Sequence, residues 1–287
     1  MDRRWLSMLI ALCGCAGQAP MPPVDTSCLG SFSETSFGRV SREVIEANLE
    51  LAPKDDAMRA TTVERLFREA GCEVELELFS DSKPPNVICR ISGTGSQRIV
   101  VGAHHDKVDV GDGVADNWSG AALLPSLYAS LATRQRLHTI ELIAFGSEED
   151  GLVGSTAHLK ALDDTQRASI AAMVNLDTLG LGITQVEHRG SDPKLLCFMI
   201  GGARTLASPF ELTNVDRVGT SDFLPFRNAG IPVLSVHSIS QKTLGILHTR
   251  RDVLAAINRD AYYDTYKLVA VSLALLANDL PERKPAS

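Results

Sequence analysis

The sequence predicts an α/β protein, a three-layer sandwich in which helices cover both faces of a mixed, mostly parallel central sheet. From residue 98 onward, short apolar runs alternate with amphipathic segments of helical length, a pattern typical of a covered parallel sheet. Before that point, the segments CEVELELF and NVICRISG flank a Pro-Pro turn and predict a β-hairpin. The 287 residues, 44% of them hydrophobic, suffice for one substantial core.

The periodicity of the apolar residues places the elements in chain order. Helices are predicted in SREVIEANLELA and in DAMRATTVERLFREAG, the second ending at Gly71. Strands are predicted at residues 98–103, 139–145, 171–176 and 231–236, and further helices at 120–131, 154–162, 222–228 and 252–277. The last helix contains LVAVSLALLA, which is shorter than the roughly 20 apolar residues of a membrane span, so it is interpreted as a core helix.

The N-terminal residues have the pattern of an export signal. In residues 1–15, Arg3 and Arg4 precede a short apolar run and small residues. The segment LCGC resembles a bacterial lipobox with Cys15 as the lipidated residue, although ordinary cleavage a few residues later is an alternative. A buried N-terminal helix is disfavoured by the prolines that follow. We therefore expect an exported protein, anchored to the outer membrane through Cys15, periplasmic or secreted.

The rest of the chain divides into three parts. Residues 16–36, rich in Pro, Ser, Thr and Gly, predict a flexible tether, residues 37–281 form a single domain, and 282–287 are a tail. Four cysteines remain beyond the signal, an even number that is compatible with disulfides in an oxidising compartment. The sequence does not pair them, and Cys197, inside the apolar LLCFMI, is interpreted as a buried free thiol.

Acidic and imidazole side chains follow four of the predicted strands at or beyond the point where each strand ends. In chain order they are His104 and Asp106, Glu148 and Glu149, Asp177, and His248. Because ligands of open α/β sheets bind outside the carboxyl ends of the strands, we expect these side chains to meet at one edge. The net charge of −7 disfavours the alternative of a nucleic-acid surface, which needs clustered Lys and Arg.

This set of side chains matches the needs of two metal ions. Such a site takes about three to four protein ligands per ion and one carboxylate that bridges both. Asp116, in the loop after the first of these strands, is the predicted bridge. His104 and Asp177 would complete one site, Glu149 and His248 the other. Carboxylate and imidazole ligands without thiolate favour zinc, so two zinc ions per chain are expected.

Two further residues are predicted to serve catalysis. Adjacent residues such as Glu148 and Glu149 cannot both point at the same atom, so Glu149 is assigned to metal and Glu148 to the attacking water as general base. Asp106, two residues after His104, is expected to accept the other imidazole N–H and fix its tautomer.

Six segments resemble, in order and spacing, a known enzyme family. They are GAHHDKVD, GVADNWSG, GSEEDGLVGS, VNLDTLG, SDFLPFRNAGIPVLSV and HTRRD. The resemblance, over most of residues 40–280, is to the co-catalytic dizinc aminopeptidases of the bacterial leucyl aminopeptidase and aminopeptidase Y type, which are related to glutamate carboxypeptidases and glutaminyl cyclases. It implies a phosphorylase/hydrolase-like zinc exopeptidase fold over residues 37–281. It also implies the same five metal ligands, Glu148 as base and Asp106 as the support of His104.

Two positions depart from the family pattern. Many members have a histidine after the Ser-Asp and a tyrosine before the His-Thr, where this chain has Phe223 and Leu247. The phenol that would stabilise the developing oxyanion is therefore missing. Either His237 or a zinc ion alone is expected to take that role; alternatively, His237 is a solvated loop histidine.

Together these features predict a metal-dependent exopeptidase that hydrolyses N-terminal peptide bonds with a two-zinc-activated water. Alternatives on the same fold are a single-zinc glutaminyl-peptide cyclotransferase and an acidic-dipeptide carboxypeptidase. A non-catalytic binding module is disfavoured, because such proteins typically lose ligands and every expected ligand is present. The expected partners are peptide substrates, no nucleic acid, and a membrane only through a lipid on Cys15.

Overall fold

Residues 26–30, 32, 37–214 and 219–283 are described by the structure, a computed structural model. The predicted export signal and most of the predicted tether lie outside these residues. None of the described helices is long and apolar enough to cross a membrane.

The described residues form an eight-stranded mixed sheet. Its strands are β1 (Glu75–Glu77), β2 (Asn86–Ile91), β3 (Arg98–His104), β4 (Thr139–Phe145), β5 (Ile170–Leu176), β6 (Gln185–Glu187), β7 (Glu211–Thr213) and β8 (Val233–His237). They lie in the order β1-β2-β4-β3-β5-β8-β6-β7. The four central strands β4, β3, β5 and β8 run parallel, and β2 pairs antiparallel with both β4 and β1. The predicted sheet and hairpin are thus confirmed.

Helices cover both faces of this sheet. They are α1 (Arg42–Leu51), α2 (Asp56–Glu69), α3 (Ser119–Ala121), α4 (Leu124–Leu131), α5 (Val153–Ala161), α6 (Asp164–Ala168), α7 (Pro193–Leu206), α8 (Phe223–Asn228) and α9 (Arg259–Asp279). Alternate residues of β3 belong to different apolar clusters: Val101 packs with residues of α2, α4 and α9, and Val100 packs with residues of α5 and α8. Successive residues of a strand point to opposite faces, so both faces are covered and the three-layer fold class is confirmed.

Some elements differ from the expected ones in their bounds, and others were not predicted. The final helix begins at Arg259, where the Asn258 side chain accepts the N–H of Ala261, and not near residue 252. The helix expected at 120–131 is divided into α3 and α4, with a proline at the start of α4. The strands β6 and β7 were not predicted, because three-residue strands give no periodic signal. The helices α6 and α7 were not predicted either.

The cysteines correct one expectation. Cys72, just after α2, forms a disulfide with Cys89 in β2. Cys197 in α7 is also disulfide-bonded, so its interpretation as a free thiol is wrong. Local hydrophobicity alone did not reveal this pairing, since buried thiols and buried disulfides occupy similar apolar surroundings.

Segments next to the expected domain boundaries pack against the domain. The 3₁₀ turn Ser27–Gly30 contacts α7, and the ring of Phe32 lies 5.4 Å from that of Phe198. After α9, the main chain of Arg283 is held by the side chain of Gln97. These residues of the predicted tether and tail are therefore attached to the core. The division of the other N-terminal residues into an export signal and a tether stays a prediction.

Candidate metal centre

The ends of three parallel strands bring one group of ligands together. His104 ends β3, Glu148 follows β4 and Asp177 follows β5, and one ligand atom of each lies within 4.8 Å of the others. His104 Nε2 is 3.7 Å from Asp177 Oδ1 and 4.0 Å from Glu148 Oε2. This group can surround one cation.

A second group lies beside the first. It consists of Asp116, Glu149 and His248, whose ligand atoms are also within 4.8 Å of one another. His248 Nε2 lies 3.1 Å from Asp116 Oδ2 and 3.3 Å from Glu149 Oε1. The side chain of His248 is about half exposed, so this group forms the solvent side of the centre.

The carboxylate of Asp116 connects the two groups. Its Oδ1 lies 3.3 Å from His104 Nε2, while its Oδ2 faces His248. One carboxylate with each oxygen directed at a different imidazole is the arrangement a bridging ligand needs. All five predicted ligands thus meet at the predicted edge of the sheet, with Glu148 beside them.

The main chain around Asp116 is fixed on both sides. The peptide bond between Asp116 and Asn117 is cis. Asn117 donates to the carbonyl of Leu176 and accepts the N–H of Thr178, which ties this segment to the end of β5. The carboxylate of Asp252 accepts the N–H groups of Ala115 and Asp116 at 2.7 and 3.1 Å. Neither Asn117 nor Asp252 belongs to the residues predicted from the sequence to bind metal or serve catalysis.

Asp106 supports the centre differently from the sequence prediction. Nδ1 of His104 donates to the main-chain carbonyl of Asp106 at 3.2 Å, while the carboxylate oxygen is 3.5 Å away. With Nδ1 directed at this carbonyl, Nε2 is the ring nitrogen that faces the carboxylates of Asp116 and Asp177 and that a metal would bind. The Asp106 carboxylate accepts the N–H groups of Glu148 and Glu149 at 3.0 Å each, so it also fixes the glutamate turn.

The electrostatics of the cluster fit divalent cations. Burial and neighbouring carboxylates raise the pKa of Glu148 to about 9 and that of Glu149 to about 7. Contact with Asp116 and Glu149 raises the pKa of His248 to about 9, against the effect of burial. Glu149 Oε1 is buried and accepts no hydrogen bond from the described residues, although His248 is near. Closely spaced acidic groups, together with a buried carboxylate oxygen that accepts no hydrogen bond, are typical of a site that binds divalent cations.

Asp222 is a further acidic residue that the sequence analysis missed. It is fully buried just before α8, and among the described residues neither carboxylate oxygen accepts a well-formed hydrogen bond, although the Ser155 side chain interacts with the carboxylate. Burial raises its pKa to about 7, with smaller effects from other groups that include His104 and Asp177. The Ser-Asp pair in SDFLPF was the available signal, but no strand end marks it.

A cleft of about 170 Å³ opens onto both ligand groups. Its wall includes the apolar side chains of Phe223, Ile239 and Leu247, and its polar lining includes Ser235 and His237. A substrate can therefore reach the carboxylates from one side.

His237 lines this cleft, but both of its ring nitrogens are engaged. Nδ1 accepts the N–H of Ile239 at 3.0 Å, so Nε2 carries the proton and faces the hydroxyl of Thr213 at 3.1 Å. The ring is buried, which lowers its pKa to about 4 and keeps it neutral. The geometry does not support an oxyanion role, and the ring is not a solvated loop histidine either.

We expect His237→Ala to retain kcat while lowering the free energy of unfolding by about 1–3 kcal/mol, because it leaves buried polar groups unpaired. Steady-state kinetics and urea unfolding check this. A fall in kcat of about 100-fold or more would instead restore the oxyanion role.

The fold and the paired ligand groups define an α/β protein with a candidate metal centre for two ions at the carboxyl edge of its sheet. Residues 86–273 match the family described as Peptidase family M28, and the chain belongs to this family. It is 31% identical over 169 residues to leupeptin-inactivating enzyme 1 of Streptomyces exfoliatus, covering 57% of this chain and 38% of that protein. It is 30% identical over 196 residues to an aminopeptidase of Pseudomonas aeruginosa, covering 59% and 37%. The chain thus spans less than half the length of these relatives.

Solved structures share the fold. The LapA aminopeptidase of Legionella pneumophila aligns with a TM-score of 0.74 at 17% identity, covering 93% of this chain and 79% of that one. BSAP, a zinc aminopeptidase from Bacillus subtilis, gives 0.63 at 24%, covering 71% and 52%. The glutaminyl cyclase of Porphyromonas gingivalis gives 0.69 at 18%, covering 84% and 99%.

Proposed function

We propose that the chain is a zinc-dependent aminopeptidase that binds two zinc ions and hydrolyses N-terminal peptide bonds. The observation that carries the proposal is the Asp116 carboxylate, whose two oxygens face the imidazoles of two separate ligand groups. His104 and Asp177 would hold one ion, Glu149 and His248 the other, with Asp116 shared. Membership of peptidase family M28 supports the peptide bond as the substrate.

Different residues of the chain would serve different steps of the hydrolysis. When bound, the two zinc ions would polarise the scissile carbonyl and lower the pKa of an attacking water. Glu148, in the lining of the cleft, would take the proton from that water and deliver it to the leaving amine. Asp106 would hold the turn that carries Glu148, since it accepts the N–H groups of both glutamates.

The cleft supports exopeptidase action on peptides with a free N-terminal amine. Carboxylates of Asp116, Glu149 and Asp177 line the cleft and would attract an ammonium group. Apolar residues of the same cleft would pack against the first side chain of the peptide.

Glutaminyl cyclisation is the alternative on the same fold, and an acidic-dipeptide carboxypeptidase is a nearer variant. The complete set of ligands for two ions favours hydrolysis. Metal analysis separates the cyclase from our proposal, and substrate profiling separates the carboxypeptidase.

We further propose that the protein acts outside the cytoplasm, as a lipoprotein anchored through Cys15 or as a periplasmic or secreted enzyme. The proposal rests on the signal-like pattern of residues 1–15. The Cys72–Cys89 disulfide is in keeping with an oxidising compartment.

The function is tested by metal content and substrate profile together. We expect about two zinc ions per chain and release of aniline from aminoacyl-anilides, with activity lost on chelation and restored by zinc. Acetylated substrates, which lack the free amine, should resist hydrolysis. One ion per chain with cyclisation of N-terminal glutamine would overturn the assignment, as would release of the C-terminal residue from acidic dipeptides whose N-terminal amine is acetylated.

A further inference from the structure

A buried arginine lies directly behind the loop that connects the ligands of β3 to Asp116. Arg59 belongs to α2 and is 0% exposed, among the largest fully buried side chains of the described residues. Its guanidinium lies 5.6 Å from the ring centroid of Trp118. Buried arginines normally pair with carboxylates, yet no ion pair within the described part of the chain involves Arg59.

The hydrogen bonds of Arg59 go instead to main-chain carbonyl groups. Nε donates to Pro53 at 2.7 Å, Nη1 to His105 at 3.2 Å, and Nη2 to Asp112 at 2.6 Å and to Gly113 at 2.9 Å. Three of these four carbonyls belong to the loop between His104 and Asp116. The side chain therefore connects the start of that loop, next to one ligand, with its end, near the other.

The same loop segment is held from its other side by Asp252. While Arg59 binds the carbonyls of residues 112 and 113, the Asp252 carboxylate binds the N–H groups of Ala115 and Asp116. The main-chain carbonyl of Asp252 also accepts the N–H of Asp112. Asp252 is four residues beyond His248, so this contact ties the bridging aspartate to the loop of the second imidazole.

Local geometry is adapted to the close approach of the guanidinium. Gly113 has a φ of +57°, in the left-handed region that favours glycine. A Cβ at this position would lie 2.7 Å from Lys107 Cβ and 3.1 Å from Arg59 Nη2. A larger residue would therefore push the loop away from Arg59.

The charge of Arg59 also fits this place. Burial lowers its pKa to about 10, opposed by Asp56, Asp252, Asp106 and Asp116, so it remains a cation at neutral pH. A fixed positive charge behind an acidic cluster helps the folded protein to keep the carboxylates together. Lysine could supply that charge, but only the planar guanidinium offers donors to several carbonyls in a fixed arrangement.

We propose that Arg59 is a positioning residue for the metal centre: by holding the carbonyls of residues 105, 112 and 113, it sets where the Asp116 carboxylate lies between the two ligand groups. This inference rests on the proposed function, because it presumes ions on both sides of Asp116. Its direct consequence is for metal affinity, and any effect on turnover follows from that.

The test compares Arg59→Lys, Arg59→Met and a matched control, Arg98→Lys. Arg98 starts β3, at the end of the strand away from His104, and binds Glu141 at 3.2 Å. Zinc affinity is measured by competition with a chromophoric chelator, coordination by the visible spectrum of the cobalt-loaded protein, and Tm with and without zinc. Circular dichroism first verifies that each variant is folded.

We expect both Arg59 variants to bind zinc about 10- to 100-fold more weakly, the loss typical when a residue that orients a ligand is replaced. Their cobalt spectra should change and the gain in Tm on zinc addition should shrink, since that gain reports affinity. Arg98→Lys should lower Tm equally in both forms and leave the affinity unchanged. If Arg59→Met does not fold, Arg59→Lys alone decides.

Arg59 variants with unchanged affinity, spectrum and zinc-dependent gain in Tm would overturn the inference, however much their overall Tm falls. A finding that the wild-type protein binds fewer than two zinc ions would instead overturn the proposed two-ion function. The inference about Arg59 would then fall with it.

Discussion

Replacing Glu148 by Gln is expected to lower kcat by about 100- to 10,000-fold while leaving the metal content unchanged. The amide keeps the size of the side chain but cannot take a proton from the attacking water. Glu148 lines the cleft and its Oε2 lies 4.0 Å from His104 Nε2, close enough to serve a water held at the centre. Steady-state kinetics and metal analysis of the purified variant check both parts.

Asp150→Asn is the matched control for this variant. Asp150 belongs to the same turn, but its carboxylate is about half exposed and binds Lys83 at 2.8 Å. We expect no change in kcat for it. Loss of zinc from Glu148→Gln would contradict the assignment of Glu148 as general base and would make it a metal ligand. The metal content has to be measured because the Glu148 carboxylate lies close to His104 and Asp177.

Replacing Asp116 by Asn is expected to remove most of the bound metal and activity together. The amide has one oxygen and no charge, so it cannot bind two cations at once. Replacing a residue that only orients a ligand lowers metal affinity about 10- to 100-fold. Replacing a ligand that both ions share should therefore lower metal affinity at least about 100-fold. Competition with a chelator measures the affinity, and aminoacyl-anilide hydrolysis measures the activity.

Asp112→Asn controls for a changed charge in the same loop. Its side chain is more than a third exposed and lies 3.3 Å from Lys54, and its main-chain contacts with Arg59 and Asp252 do not depend on the carboxylate. We expect normal metal content. An Asp116→Asn protein that keeps two tightly bound ions would contradict the bridge.

The central sheet and the meeting of the five predicted ligands at one edge could be predicted from the sequence, because both have strong local signals. Parallel strands buried on both faces are continuous apolar runs, and polar residues at their carboxyl ends must meet at one edge. His104 and Asp177 were placed by this rule, and the family resemblance implied the same residues. His248 was placed as a residue downstream of the last central strand and by the same resemblance, and it lies eleven residues beyond the end of β8.

The residues that hold the ligands were not predictable in the same way. Arg59 acts from α2, an amphipathic helix with three arginines, and an arginine in such a helix has the pattern of a solvated residue. Asp252 was placed only as the first residue of the predicted last helix, at 252–277. Its contacts with the Asp116 segment span 136 residues of sequence, and only the folded chain shows them. The bond from His104 to the main chain of Asp106 likewise has no sequence signal.

The central claim is that two cations share the Asp116 carboxylate, and anomalous diffraction at the zinc edge from crystals of the zinc-loaded protein tests it most directly. We predict two peaks roughly 3.5–4 Å apart, one next to His104 and Asp177, the other next to Glu149 and His248, with Asp116 between them. A single peak, or two peaks of which only one contacts Asp116, would contradict the account.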